Sequence, residues 1–83
     1  MSEHTRRGQP PEAGQLTKYV TLAGVKFSKA KINSVGEASP DGEYFNVEVT
    51  WVPPGLSPVT ETHVYWKELG WVRGDPSGPP WPG

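Results

Sequence analysis

Glu43-Tyr44-Phe45-Asn46-Val47-Glu48-Val49-Thr50-Trp51-Val52 is the stretch that decides the fold class. Phe45, Val47, Val49 and Trp51 alternate with Tyr44, Asn46, Glu48 and Thr50. A period of two sends successive side chains to opposite faces of a sheet. One face is apolar enough to cover a core and the other polar enough to meet water, so the stretch predicts a half-buried β-strand.

Upstream, Lys18 to Ala23 alternates weakly and predicts a strand with both faces partly covered. Val25 to Ile32 predicts the next strand, but its pattern slips phase. Val25 and Phe27 share one parity while Ala30 and Ile32 take the other, and a bulge near Lys29 reconciles them. Asn33 to Gly42 contains Asn, Ser, Gly, Pro and Asp-Gly, the residues of a loop closing a hairpin onto the strong strand. Charge and apolar pairing together suggest a register for that hairpin. It sets Lys26 opposite Glu48, Lys31 opposite Glu43, Phe27 opposite Val47, Val25 opposite Val49 and Ala23 opposite Trp51.

Downstream, Pro53-Pro54-Gly55-Leu56-Ser57-Pro58 must end the strand, because proline has no N–H for a ladder. Val59 to Lys67 predicts a further strand, and Glu68 to Arg73 a turn with a short last strand. The expected fold is therefore all-β, a small antiparallel barrel or curled sheet of four to five strands over residues 16–73. Residues 1–15 and 74–83 read as disordered tails, a flexible N-terminal arm and a Pro/Gly-rich C-terminal tail, with too little apolar area to offset ordering entropy.

Val49-Thr50-Trp51-Val52-Pro53-Pro54-Gly55 resembles the Trp-x-Pro-Pro stretch on an early strand of fibronectin type III domains. That family needs several more strands than the remaining residues can supply. The resemblance is local, and no function follows from it.

With 83 residues and no cysteine, the chain has neither a disulfide framework nor a thiolate metal site. A small core without such staples makes association with a partner, or with further copies of the chain, an expectation. Formal net charge is −1, which argues against bulk attraction to nucleic acid or an anionic membrane. The N-terminus lacks an apolar stretch after its arginines and so reads as neither signal peptide nor anchor; a soluble, cytoplasmic protein is expected. Leu16 to Val35 carries four lysines and no acid, whereas Glu37 to Glu61 carries five acids and no base, so the register above pairs a lysine strand with an acidic one.

Two histidines, His4 and His63, show no metal-ligand spacing, and no cofactor motif is present. Glu43 with Glu48, and Glu61 with Glu68, are the available carboxylate pairs, and nothing in the sequence marks a pocket for them. The expectation is a non-enzymatic protein.

Three surfaces suggest what it binds. The first is aromatic, with four Trp and three Tyr in so short a chain. Trp51 and Trp71 suit a core, while Tyr65, Trp66, Trp71 and, in the tail, Trp81 suit anchors for a protein partner. The resulting expectation is an accessory subunit, adaptor or inhibitor of a larger assembly. The second is Lys18, Tyr19, Lys26, Lys29 and Lys31, which would serve a single-stranded nucleic-acid binder by phosphate contact and base stacking. The third is Arg73 to Pro79, which fits the basic-x-x-Pro-x-x-Pro pattern of polyproline ligands but arises easily by chance in a Pro/Gly-rich tail.

Overall fold

The computed structural model describes residues 8–74. Its elements follow in order as β1 (Leu16–Val20), β2 (Lys26–Ala38), β3 (Tyr44–Trp51), β4 (Val59–Trp66) and β5 (Trp71–Arg73). Each strand pairs antiparallel with the next, and β5 pairs parallel with β1 to close a barrel. An odd number of strands in an up-and-down path makes the closing pair parallel, because the first and last strands run the same way. Closure also gives every strand a neighbour on both sides.

β2 is the longest strand, and its pairing carries three irregularities. Between the pairs Thr17↔Ala30 and Tyr19↔Phe27, the single residue Lys18 faces both Ser28 and Lys29. This is the bulge that the phase slip predicted. It returns Phe27, Ala30 and Ile32 to the same inner face. Two more occur against β3, at Asn33 and at Gly36–Glu37 opposite Asn46. The first half of β2 thus pairs with β1 and the second half with β3, and Lys31, partnered by both Leu16 and Thr50, marks the corner.

The hairpin register differs from the one that charge suggested. Ile32 faces Val49, Ser34 faces Glu48 and Val35 faces Val47, while Lys31 faces Thr50 and Lys26 faces Val20. The residues expected to form a long loop, Asn33 to Ala38, extend β2 instead. A cross-strand ion pair contributes about 0.2–1 kcal/mol, whereas burying a Val or Ile contributes about 1.5–3 kcal/mol, so the apolar pairing sets the register.

A tight turn then joins β2 to β3. The Ser39 hydroxyl donates to Asp41, and its oxygen accepts from the amides of Glu43 at 3.2 Å and Tyr44 at 3.1 Å. The Gly42 amide donates to the Ser39 carbonyl at 2.9 Å, with Gly42 at a φ of 75° that favours glycine.

The core consists of Tyr19, Ala30, Ile32, Val47, Val49, Tyr65 and Val72, with Phe27, Phe45 and Trp51 packed against it. Val47 and Val49 are buried while Glu48 is exposed, as the alternation of β3 requires. Gly8 to Gln15, placed by the sequence in the flexible arm, is tied to the barrel. The Gly8 amide donates to the Lys67 carbonyl at 2.8 Å, and the Ile32 amide to the Gln15 carbonyl at 2.9 Å.

Candidate functional site

Because β1, β3 and β5 run in one direction, the β1–β2 and β3–β4 connections lie at the same end of the barrel. Those connections carry Leu22, Val25, Val52 and Leu56, which are 75%, 51%, 59% and 67% exposed. They are four of the six exposed large aliphatic side chains of the described residues. Nothing in a strand pattern predicts this grouping. Its only sequence signal is apolar residues placed beside Gly24 and Pro53-Pro54-Gly55, where turns are ordinarily polar.

At the same end, β2 turns away from β3 beyond the Lys31–Thr50 pair to follow β1. The parting strands leave a groove of about 430 Å³ lined by Lys26, Phe27, Ser28, Lys29 and Val52. The bulge at Ser28–Lys29 therefore also shapes a wall of the groove. Its aromatic lining residue, Phe27, belongs to a larger aromatic cluster. Phe27 packs on Trp51 with ring centroids 4.6 Å apart, and Tyr19 lies 6.1 Å from Phe27 and 5.2 Å from Trp51.

Beside this cluster the Tyr19 hydroxyl lies 2.9 Å from His63 Nε2, which is also 2.8 Å from Glu61 Oε1. His63 stands on β4 opposite Val47 and so faces inward at the rim. Burial, and then the Glu61 charge, push the Tyr19 hydroxyl above its ordinary pKa of 10.0. Among the described residues, no three His, Asp or Glu side chains gather where they could hold a metal ion.

The aromatic residues singled out from the sequence part company. Tyr65 stands opposite Phe45 and Val72 at 0% exposure, so it is a core residue and no surface anchor. Trp66 and Trp71 face each other on the outer surface, both half-buried. Trp66 meets Tyr44 edge-on at 5.2 Å and lies under the Arg73 guanidinium at 4.9 Å, while Lys18 Nζ sits 4.1 Å over Trp71. Trp71 is thus part of an outer cation–aromatic layer rather than the core. Trp81, with the rest of the Pro-rich pattern after Gly74, lies outside the described residues.

The lysine set also divides. Lys18 is spent on Trp71, and Tyr19 is buried and offers no face for stacking. Lys26 and Lys29 line the groove, and Lys31 is exposed beside it. Among the described residues none of these three makes an ion pair, because the register brings no carboxylate to them. Also among the described residues, no helix is long and apolar enough to cross a membrane. Comparison with family models, with curated proteins and with solved structures finds no match to the chain.

Proposed function

We propose that this protein is a non-enzymatic binding module that docks on a larger protein or assembly through one end of its barrel. The observation that carries this reading is the gathering of Leu22, Val25, Val52 and Leu56 at that end, over a half-buried Phe27 and Trp51. Exposed aliphatic side chains scattered singly need no explanation, but four on the two connections at one barrel end, with a groove lined by Val52 and Phe27 at that end, are the anatomy of a contact surface. The anchors are then Val52, Leu56 and Phe27 rather than Tyr65. Trp66 and Trp71 form a second, half-buried region on the outer surface, partly covered by Arg73 and Lys18. Tyr19, His63 and Glu61 satisfy one another, which suits a structural rim better than a reaction centre.

A second reading, single-stranded nucleic-acid binding, is favoured by one observation: Lys26, Lys29 and Lys31 have no carboxylate partner among the described residues. Against it stands the shortage of open aromatic faces, since Tyr19 is buried and Phe27 packs between Tyr19 and Trp51.

The test is affinity capture from the native host with and without nuclease, comparing the wild type with a Val52→Asp/Leu56→Asp double variant. Partners retained after nuclease and lost from the double variant support the docking reading. Partners that vanish with nuclease support the second, and partners unaffected by either treatment overturn the choice of this surface.

A further inference from the structure

The groove at the barrel end has a chemically mixed lining. Phe27 and Val52 are apolar, while Lys26 and Lys29 are cationic, with Ser28 in the chain between Phe27 and Lys29. Lysines on a sheet face are commonly neutralised by acids on the neighbouring strand. Here the neighbour on the β3 side ends in Thr50, Trp51 and Val52, and the neighbour on β1 presents Val20 to Lys26. The acids of β3 and the preceding turn lie elsewhere: Glu48 is opposite Ser34, and Asp41 and Glu43 belong to the turn at the far end of the barrel. The positive charge at the groove is uncompensated by any ion pair among the described residues.

From this juxtaposition we propose that the groove takes an acidic segment of a protein partner, with an Asp or Glu carboxylate held between Lys26 and Lys29 and an adjoining apolar side chain against Phe27 and Val52. This rests on the reading of the barrel end as a docking face and names the chemistry of what docks there. A carboxylate gains charge-assisted hydrogen bonds from two ammonium groups, and the adjoining Phe27 and Val52 lower the local dielectric and strengthen them. The side chains at this end of the barrel also distinguish a peptide from a nucleic acid. Leu22, Val25, Val52 and Leu56 are aliphatic and match aliphatic or aromatic side chains, whereas a base needs an open aromatic plane.

The experiment is selection of a random phage-displayed peptide library on the full chain. It is followed by anisotropy titration of the synthesised winners at low and high salt against wild type, Lys26→Glu/Lys29→Glu, Lys26→Met/Lys29→Met and Val52→Asp. All substituted side chains are exposed, and thermal melts confirm that each variant stays folded. The expected winners pair Asp or Glu with Leu, Phe or Trp, bind more weakly at high salt, and lose about tenfold or more in affinity to the charge reversal and less to the Met pair. Winners that lack acids, or that bind the charge-reversed variant as well as the wild type while Val52→Asp abolishes binding, overturn the acidic segment and leave the docking face standing. Winners indifferent to all three variants, or a library that yields none, overturn the proposal and the docking face together. An oligothymidylate strand that binds the wild type more tightly than any selected peptide, and loses that binding on charge reversal, assigns the groove to nucleic acid instead.

Discussion

His63 Nε2 sits between two oxygens, 2.9 Å from the Tyr19 hydroxyl and 2.8 Å from Glu61 Oε1. A proton on that nitrogen serves both as acceptors. The arrangement locks the β1 side of the rim to β4 across the barrel mouth. With its pKa raised by burial first and by Glu61 second, the folded protein keeps the Tyr19 phenol neutral at a pH where the unfolded chain already ionises. Its contribution to stability is therefore fully present below pH 10.0 and is lost as pH rises from there through the folded value. Tyr19→Phe should cost about 1 kcal/mol at neutral pH. It should also flatten the alkaline limb of a stability-against-pH curve measured by denaturant unfolding. An alkaline limb as steep as the wild type's would place the titration elsewhere.

Ser39 organises the β2–β3 turn from a buried position by accepting from the Glu43 and Tyr44 amides. Ser39→Ala should destabilise the fold by about 1–2 kcal/mol, since two turn amides lose a shared acceptor. The Ser39 hydroxyl, followed by the Glu43 amide, holds the exposed Asp41 carboxyl below its ordinary range. That linkage is present above the ordinary carboxylate pKa and disappears as pH falls through the depressed one, so the Ser39→Ala deficit should shrink in acid. Melts of wild type and variant across the acid range measure it.

Gly74 leaves the barrel through a space with no room for a methyl group. A Cβ built there would lie 2.8 Å from the Leu22 amide nitrogen and 3.1 Å from Thr21 backbone carbons, while the Gly74 amide donates to the Val20 carbonyl at 2.7 Å. Backbone cannot rotate aside as a side chain does. Gly74→Ala should cost about 1–3 kcal/mol in chemical denaturation and should increase amide exchange at Thr21 and Leu22. Wild-type stability in this variant would mean that the β1–β2 connection yields freely.

Trp66 lies between the two extremes that a surface anchor and a core residue represent. It is half-buried, meets Tyr44 edge-on and lies beneath Arg73. Trp66→Ala should therefore cost about 2 kcal/mol, below the 3–5 kcal/mol of a fully buried tryptophan, and leave a folded protein. Circular dichroism melts decide this, and an unfolded variant would move Trp66 into the core.

The β3 strand was legible because Phe45, Val47, Val49 and Trp51 alternate without interruption, and the bulge at Ser28–Lys29 because apolar parity changes between Phe27 and Ala30. The continuation of β2 through Asn33-Ser34-Val35-Gly36-Glu37-Ala38 was not. Its residues prefer loops, and the strand accommodates them by bulging at Asn33 and Gly36–Glu37, an option that composition does not reveal. Charge pairing misled for a physical reason: a weak, solvent-screened term was weighed above the burial of Ile32 and Val35 against Val49 and Val47. Tyr65 illustrates the other limit. Tyr65 and Val64 are adjacent and both fully buried, so parity along β4 alone could not say which of its faces was inward.

The parallel seam between β1 and β5, with Tyr19 opposite Val72, constrains how the protein is made. A ribosome emits β1 first, but its second neighbour is the last strand of the barrel to appear. Until Trp71-Val72-Arg73 has cleared the exit tunnel, the nascent chain can hold no more than an open sheet with two bare edges. Barrel formation is thus postponed until β5 has emerged. Premature termination anywhere before β5 should yield a sticky ribbon for proteases and chaperones to remove, with no smaller working version of the protein.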